Sequence, residues 1–294
     1  MPETLPEDLP TSRLRAYYEL TKPGIATFVM LTAGAAYYVG AGGQVGWIPL
    51  LHTLLGTVVA TAGALALNQY IEREVDSRMK RTRKRPLPSR RLAPPEALVF
   101  GILLIIAGCA HLWATVGVLP AALTLASAVA YNFVYTPLKS RSYLATFAGA
   151  FPGAMPALIG WSAATGSVTL GALVLFVIAF LWQLPHVLAL AWLLREDYAR
   201  AGFLLSPPDP RTVGWQMVLN SAILIPVSIS LTPLGITGTY YAVGALILGS
   251  VVLWWSIQAF RTMESARVRR VFLGSLAYQP LLLLIMVLDT NPIT

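Results

Sequence analysis

Residues 47–86 read WIPLLHTLLGTVVATAGALALNQYIEREVDSRMKRTRKRP, and this stretch decides the class of fold. The part from Trp47 to Leu67 carries no charged residue, and it has the length that an α-helix needs to cross a membrane, about 20 residues. From Asn68 to Pro86 the chain then places three carboxylates and seven Lys or Arg residues. The stretch therefore predicts a membrane-spanning helix with charge of both signs concentrated at its end.

The composition extends this interpretation to the whole chain. Of its 294 residues, 56% are apolar and 12% are charged, against about 25% charged residues in a soluble domain. We therefore expect an integral membrane protein. The net charge of +8 would suggest nucleic acid for a soluble protein, but here the position of the charge matters more than its sum, so no nucleic-acid partner is expected.

The single cysteine and the N-terminal residues indicate little processing. Cys109 has no second cysteine with which to form an intrachain disulfide. The first apolar run follows a polar, Pro-rich stretch that contains Glu3, Glu7 and Asp8. This start differs from a cleavable signal peptide, which has a basic beginning and a short apolar core. We therefore expect no cleavage.

Nine runs of mainly apolar residues, 18 to 27 residues long, predict nine membrane-spanning helices, for which about 17 to 25 residues are typical. They cover residues 24–41, 47–69, 95–114, 117–136, 143–163, 167–193, 213–231, 235–258 and 270–288. The runs are too long and too uniformly apolar for barrel strands, and a helix pairs its backbone groups internally within lipid. The predicted fold is an all-α membrane bundle of nine helices, with one transmembrane domain over residues 24–290 after a cytoplasmic tail over residues 1–23.

The positions of the basic residues predict the orientation. With nine spans, all 21 Lys and Arg residues fall on one side of the membrane. The positive-inside rule assigns that side to the cytoplasm, which places the N-terminus inside, the C-terminus outside and the protein in the cytoplasmic membrane. The opposite connections, such as residues 41–46 and 163–166, are short and uncharged. The polar chemistry of the protein is therefore expected at the cytoplasmic face.

Asn68, Glu72 and Asp76 are each four residues apart, so they share one face at the end of the second span. Glu74 points elsewhere. A helix end that enters water also carries charges, but the macrodipole disfavours acids at a helix C-terminus, which predicts a compensating cation. Mg²⁺ is one candidate, because it prefers oxygen ligands and is typically held by one or two carboxylates plus substrate phosphates.

The basic run in the following loop predicts a partner for such a metal. Arg81 and Arg85 flank two further basic residues, and Arg binds phosphate oxygens through two N–H groups at once. Carboxylates beside this run indicate a metal-bound diphosphate, provided that the two groups converge. Basic clusters of this kind also occur where they only set the membrane topology or bind anionic lipid, without any diphosphate site. Charge alone therefore leaves both the diphosphate interpretation and the topological one open.

A second polar patch follows the sixth span. Glu196 and Asp197 lie on the same predicted side as the first acidic face, so the two helix ends could enclose one or two cations. His186 lies eleven residues before Asp197 inside the apolar run. A histidine at that depth is often a packing or pore-lining residue, but polar groups within a membrane are costly and are therefore functional candidates.

Four motifs together resemble a known family. They are NQYIEREVDSRMKRTRKRPLPS (68–89), YNFVYTPLKSRS (131–142), GAFPGAMPALIGW (149–161) and FLWQLPHVLALAWLLREDYARAGF (180–203). With these motifs the chain resembles the haem O synthase (protohaem IX farnesyltransferase) branch of the UbiA superfamily of intramembrane prenyltransferases. The resemblance runs from about Tyr17 to Met286, and the nine-helix bundle of that family agrees with the predicted spans.

The resemblance implies a set of site residues. The first motif of the superfamily, Asn-x-x-x-Asp-x-x-x-Asp, falls on residues 68–76 with a Glu in place of the usual first Asp. The second acidic motif falls on residues 195–197, where the upstream Asp of other branches is absent. The implied catalytic residues are Asn68, Glu72, Asp76, Glu196 and Asp197, and the implied metal ligands are Asn68, Glu72, Asp76 and Asp197.

The same resemblance implies a reaction and its partners. Haem b and farnesyl diphosphate, with water, would give haem O and diphosphate, with Mg²⁺ as the cofactor. The haem vinyl group would attack the allylic carbon, and water would then quench the cation beside the porphyrin. The resemblance also suggests haem A synthase as a protein partner.

Further residues acquire candidate roles from this reaction. Arg81, Arg85, Lys139 and Arg141 are expected to bind the diphosphate, although ordinary charge of a cytoplasmic loop would also explain the last two. His186 is expected to contact the haem.

The remaining aromatic and histidine residues receive a plainer interpretation. Tyr131, Tyr135 and Trp182 could face the cavity and stabilise positive charge through their rings, but aromatic residues near helix ends are commonly interfacial anchors, which is the interpretation we favour. His52 and His111 lie toward the outer side and are expected to be packing or interfacial residues.

Two other functions stay open at this point. A UbiA-type prenyltransferase that acts on an aromatic quinone precursor would share most of these motifs. A secondary transporter would also have many apolar helices and a few intramembrane polar groups. Its charge would more often lie at midplane broken helices, whereas here the acids follow spans two and six at their cytoplasmic ends.

Overall fold

A computed structural model describes residues 13–292, and predictions for residues 1–12 and 293–294 lie outside the described residues. The secondary structure is helical, with one isolated antiparallel bridge between Thr237 and Thr290. The helices are α1 (Arg13–Leu20), α2 (Pro23–Gly40), α3 (Trp47–Asp76), α4 (Pro94–Thr115), α5 (Val118–Val129), a π-helical turn (Ala130–Tyr135), α6 (Thr136–Leu138), α7 (Ala145–Thr165), α8 (Leu170–Leu193), α9 (Arg195–Ala201), α10 (Pro210–Ile229), α11 (Thr239–Thr262) and α12 (Ser265–Leu288).

Eight spans in the described part of the chain are long and apolar enough to cross a membrane. They comprise α2, α3, α4, the continuous segment Val118–Leu138, α8, α10, α11 and α12. Helix α7 is long enough, at 21 residues, and carries no charged residue, but its content of Gly, Pro, Ser and Thr makes it less apolar than these eight spans. Most of α7 is buried between other helices, and a helix that faces protein instead of lipid can use small residues.

The observed helix ends differ from the predicted spans where charge was taken as a boundary. Helix α3 continues to Asp76, seven residues beyond the predicted span 47–69, so the acidic face is helical throughout. Helix α11 includes Arg261, and α12 begins at Ser265 with three arginines in its first two turns. Long basic side chains extend from a helix end toward water, so their presence does not end a helix.

Helix α7 forms the centre of the packing, since it lies against both α2 and α8. Gly160 in α7 makes this approach possible, because a Cβ atom added there would lie 1.9 Å from the carbonyl oxygen of Ala33 in α2. The main apolar core is shared by α2, α7, α8, α10, α11 and α12. This arrangement places the N-terminal end of α2 beside the charged end of α3.

The last residues of the predicted cytoplasmic tail are folded against the bundle. Ala16 and Leu20 of α1 are fully buried in a cluster with residues of α3 and of the basic loop 77–92. Gln69 in α3 donates a hydrogen bond from Nε2 to the carbonyl oxygen of Leu20 at 2.8 Å. This contact positions Lys22, two residues after the end of α1, next to the acidic face of α3.

Candidate active site

The three residues predicted to share a face of α3 do so, and all three are buried. The exposed fractions of Asn68, Glu72 and Asp76 are 1%, 6% and 0%. Glu74, on another side of the helix, is exposed. Burial of two carboxylates requires partners for both, so the interpretation of this face as a helix end entering water is wrong.

Glu72 is paired with Lys139. The Lys139 Nζ atom donates to Glu72 Oε1 at 2.7 Å, and both side chains are less than a tenth exposed. The ammonium also lies 4.4 Å from the ring centroid of Tyr135. Burial alone would lower the pKa of Lys139, but the oxygens of Tyr135 and Glu72 outweigh it and hold this pKa above the ordinary lysine value.

The π-helical turn explains how Lys139 reaches this position. The Thr136 N–H and its hydroxyl both donate to the carbonyl oxygen of Tyr131, five residues earlier, which widens the helix by one residue. Thr136 Oγ1 in turn accepts a hydrogen bond from Asn68 Nδ2 at 3.0 Å. Such insertions are frequent at functional sites, and here the turn joins the motif around Tyr135 to the acidic face.

Asp76 is paired with Arg85 from the basic loop. The Arg85 Nη1 atom donates to Asp76 Oδ2 at 2.7 Å, and Thr82 donates to the Asp76 carbonyl oxygen. The second carboxylate oxygen, Oδ1, is buried and has no hydrogen-bond partner among the described residues. An unpartnered carboxylate oxygen in a buried site is open to a cation.

Lys22 belongs to the same cluster, and sequence analysis assigned it only to membrane topology. Its Nζ atom donates to Asn68 Oδ1 at 3.2 Å. Burial, together with the charges of Arg85 and Lys139, lowers the pKa of Lys22 to about 7. The sequence does carry a signal for this residue: Lys22 directly precedes the Pro at the start of α2, and the macrodipole disfavours a cation at a helix N-terminus.

The second acidic segment does not join the first in a single cluster. Asp197 in α9 is buried, and its carboxylate accepts hydrogen bonds from the backbone N–H groups of Lys80 and Arg81 and from Arg200. The Arg200 guanidinium, with these N–H groups, holds the pKa of Asp197 below its usual range. Between residues 13 and 292, no three His, Cys, Asp or Glu side chains are grouped to hold a metal.

Glu196, next to Asp197, is exposed. No side-chain hydrogen bond or ion pair of Glu196 is found in the described structure. The two acidic segments therefore meet through the basic loop, which Asp76 holds on one side and Asp197 on the other. A direct role of Asp197 or Glu196 at a metal stays a prediction.

The other two residues predicted to bind diphosphate, Arg81 and Arg141, do not pair with the buried carboxylates as Arg85 and Lys139 do. The Arg81 guanidinium lies over the ring of Tyr198, 6.0 Å from its centroid. Arg141 is exposed, and in the described structure its side chain makes no hydrogen bond or ion pair. The structure thus brings Arg85 and Lys139 into the cluster and leaves Arg81 and Arg141 at its edge.

His186 lies in a column of four aromatic rings inside the membrane part of the bundle. The rings of Phe28, Trp182, His186 and Phe272 follow one another with centroid distances of 5.1, 5.7 and 4.7 Å and interplanar angles below 30°. Trp182 is buried there and donates from Nε1 to the Ser275 carbonyl oxygen. The favoured interpretation of Trp182 as an interfacial anchor is therefore wrong, because α8 turns this side toward α2 and α12.

The hydrogen bonds of Ser275 set the tautomer of His186. Ser275 Oγ donates its one proton to the carbonyl oxygen of Phe272 at 2.9 Å, so at the 3.0 Å contact with His186 Nδ1 it must accept. His186 is therefore protonated on Nδ1 and has its lone pair on Nε2. No described residue donates a hydrogen bond to this Nε2 atom. Sequence analysis found His186 but gave no signal for Ser275, since the contact spans 89 positions.

An apolar cavity of about 100 Å³ adjoins the charged cluster. It lies between α2, α3, α5 and α7, and Tyr131 forms part of its wall together with Ser127 and Pro156. The rings of Tyr131 and Tyr135 are 5.5 Å apart, and Lys139 Nζ lies over the ring of Tyr135. For Tyr131 the cavity-facing interpretation fits better than that of an interfacial anchor.

Comparison with known proteins identifies the family. A sequence model of the UbiA prenyltransferase family matches residues 29–279. The chain belongs to the UbiA prenyltransferase family. Among curated relatives of this UbiA protein, the protoheme IX farnesyltransferase of Solibacter usitatus (strain Ellin6076) is 42% identical over 288 residues, which is 94% of this chain and 99% of the relative. The protein of the same name from Anaeromyxobacter dehalogenans (strain 2CP-C) is 40% identical and covers 92% of both chains. The resemblance found in the motifs is thus confirmed.

Solved structures share the UbiA fold at low sequence identity. A structure reported for digeranylgeranylglyceryl phosphate synthase in membranes has a TM-score of 0.80 at 15% identity and covers 95% of this chain and 99% of its own. A UbiA homologue from Archaeoglobus fulgidus bound to GPP and Mg²⁺ has a TM-score of 0.62 at 13% identity, with 92% and 99% covered. These similarities establish the fold of this UbiA chain.

Proposed function

We propose that this protein converts haem b, farnesyl diphosphate and water to haem O and diphosphate. The observation that carries the proposal is the buried cluster in which Glu72 and Asp76 meet Lys22, Arg85 and Lys139. Carboxylates and cations converge there, as binding of a metal-associated diphosphate requires. The relatives named protoheme IX farnesyltransferase support the choice of both substrates.

We infer that a divalent cation, Mg²⁺, binds at Asn68, Glu72 and Asp76. The residues fit this ion, because they offer oxygen atoms on one helix face and Asp76 Oδ1 is buried without a partner. The Archaeoglobus fulgidus homologue bound to GPP and Mg²⁺ supports a divalent ion in this fold. When bound, such an ion neutralises part of the negative charge on a departing diphosphate. Asp197 is kept as a further candidate ligand.

The chain's own cations perform the corresponding work on the leaving group. Arg85 and Lys139 are held at the acidic face by carboxylates, and Lys22, in its protonated form, is held there by the amide oxygen of Asn68. Positive groups fixed before the reaction stabilise charge that develops as the bond to the diphosphate breaks, without reorganisation at that moment. Arg81 and Arg141, at the edge of the cluster, would complete the diphosphate contacts from the loops.

The apolar cavity beside Tyr131 is the proposed site of the prenyl chain. Its volume of about 100 Å³ corresponds to roughly three water molecules at liquid density, so a farnesyl chain has to move side chains aside to enter. Tyr131 lines this cavity, and the neighbouring ring of Tyr135 contacts Lys139. Their faces would stabilise the positive charge on the allylic carbon, while the apolar walls keep bulk water away from it.

We propose that His186 contacts the haem through its Nε2 atom. The hydrogen bond to Ser275 leaves the Nε2 lone pair free, and imidazole is a common ligand of haem iron. Ser275 acts here as a positioning residue, in the way that a hydrogen bond on one ring nitrogen orients a metal-ligating histidine.

His186→Ala is expected to weaken haem b binding because it removes the proposed ligand. Ser275→Ala is expected to weaken it less, by about 10-fold, since the ring stays but loses the partner that sets its tautomer. Haem titrations followed by the Soret absorption measure both affinities, and turnover at saturating haem separates binding from chemistry. Wild-type haem affinity and spectrum in His186→Ala would contradict this assignment.

The function itself is tested by the product. Purified protein in lipid, given haem b, farnesyl diphosphate and Mg²⁺, is expected to yield a haem whose mass has grown by one farnesyl group and one hydroxyl group. If the haem stays unchanged and an added quinone precursor is prenylated instead, that precursor is the acceptor in place of haem. Vesicle uptake of substrate without diphosphate release would instead support transport and overturn the proposal.

We also propose the membrane arrangement that the charges predict. Helix α7 would also cross the membrane and bring the number of spans to nine. The N-terminus and the acidic face would lie at the cytoplasmic side of the cytoplasmic membrane, and the C-terminus would lie outside. Lys139, Asp197 and the basic loop all lie at the same end of the bundle, which supports one polar face. Haem A synthase is proposed as the partner that receives the product, on the basis of the family resemblance.

A further inference from the structure

A pair of histidines lies at the end of the bundle opposite the charged cluster. His52 is in the second turn of α3, and His111 is near the end of α4. The His52 Nδ1 and His111 Nε2 atoms are 3.2 Å apart, and the ring centroids are separated by 5.1 Å. Both residues are partly exposed, so the pair is accessible from outside the packed core.

The packing of α3 against α4 fixes this distance. Glycines at both helices bring the backbones together: a Cβ atom added to Gly108 would lie 2.5 Å from the Ala60 nitrogen, and one added to Gly63 would lie 2.6 Å from the Gly101 carbonyl oxygen. Helices in such close contact have little freedom to separate. The two imidazoles are therefore held in position by the backbone.

We propose that His52 and His111 form a binding site for a borderline transition-metal cation, of which Zn²⁺ is the reference member. Two Zn–N bonds of about 2.0–2.1 Å at a tetrahedral angle hold their nitrogens about 3.3 Å apart. The observed 3.2 Å separation therefore matches a bound pair without movement of the helices. Imidazole nitrogen suits Zn²⁺, Ni²⁺ and Cu²⁺ and does not suit Mg²⁺.

The site is separate from the proposed active site. His52 precedes Asn68 by sixteen residues of continuous helix, which is about 24 Å along the axis. Cys109 lies two positions before His111, and residues two apart do not face the same way on a helix, so it supplies no third ligand. Since three-residue clusters of metal-ligating side chains are absent from residues 13–292, water completes the coordination and the ion is exchangeable.

Binding requires a shift of one proton within the pair. In the ion-free pair, one ring donates its N–H to the nitrogen of the other ring. Metal binding needs a lone pair on both nitrogens. The donor ring therefore moves its proton to its second nitrogen, which leaves a lone pair on each of the two nitrogens that face the ion.

The test uses tag-free protein in lipid with excess Mg²⁺ and Co²⁺ as a spectroscopic substitute for Zn²⁺. We expect one Co²⁺ per chain, with the strong visible absorption of a tetrahedral site, and displacement by Zn²⁺. His52→Gln and His111→Gln should each weaken binding by more than the roughly 10–100-fold that loss of a supporting partner costs. Cys109→Ser serves as the matched control and should bind as the wild type does.

Thermal unfolding provides a second readout that separates binding from misfolding. Zn²⁺ should raise the unfolding midpoint of the wild type, because it binds the folded state, and should leave that of the His52→Gln/His111→Gln double variant unchanged. Equal Co²⁺ binding by the wild type and the double variant would overturn the proposal. Absence of saturable binding in a wild type that unfolds cooperatively would also overturn it and leave the pair as a hydrogen bond alone.

Discussion

Asp76→Asn is expected to lower turnover by at least about 10²–10³-fold, the loss that follows removal of one preorganised charge-stabilising group. Asn keeps the size of the side chain but removes the carboxylate that pairs with Arg85 and offers the unpartnered Oδ1 atom. The substitution therefore removes charge from the site with little change in packing. Product formation by mass spectrometry measures the effect, and thermal unfolding in lipid verifies that the variant is folded.

Glu74→Gln is the matched control for this experiment. Glu74 lies two residues from Asp76 on the same helix, but its side chain is 78% exposed and pairs only with its neighbour Arg73 at 3.4 Å. Loss of such an exposed pair changes stability by about 0–1 kcal/mol, and turnover should stay at the wild-type level. Full activity in Asp76→Asn, or an equal loss in both variants, would contradict the assignment of the acidic face.

Lys139→Met is expected to lower the free energy of unfolding by about 3–5 kcal/mol, because it leaves the Glu72 carboxylate buried without its partner. The exposed fractions of the two side chains are 9% and 7%, so water does not replace the lost contact. Denaturant unfolding in mixed micelles measures the change. Arg141→Gln, two residues along the loop and exposed, is the control and should change stability little.

The double variant Glu72→Gln/Lys139→Met separates the structural role of the pair from its functional role. Removing both charges should restore most of the stability, since a buried ion pair and a neutral replacement are often similar in free energy. Turnover should stay low, because the carboxylate and the cation proposed for the site are both gone. Recovery of turnover together with stability would show that the pair only supports the fold.

The acidic face and the apolar spans could be predicted because both depend on local periodicity. Four-residue spacing placed Asn68, Glu72 and Asp76 together, and run length predicted the eight helices of the described chain that are apolar enough to span a membrane. Lys22 and Thr136 could not be assigned in this way. They reach Asn68 from 46 and 68 positions away in sequence, through the folding of α1 and through a π-helical turn that has no apolar repeat.

The second acidic segment shows a different limit of prediction from sequence. Glu196 and Asp197 are adjacent, so sequence analysis treated them alike, yet the structure buries one and exposes the other. Successive residues on a helix point about 100° apart. The orientation of α9 depends on the break after α8 and on contacts with the basic loop, and neither is visible in a seven-residue segment.

The manner in which Asp197 holds the basic loop has a consequence for sequence variation. Its carboxylate binds the main-chain N–H groups at positions 80 and 81, and every residue except proline supplies such a group. The path of the loop is therefore independent of which side chains it carries at these two positions. Substitutions at these positions can adjust the affinity of the loop for anionic ligands or lipid headgroups, while the contact of the loop with α9 stays the same.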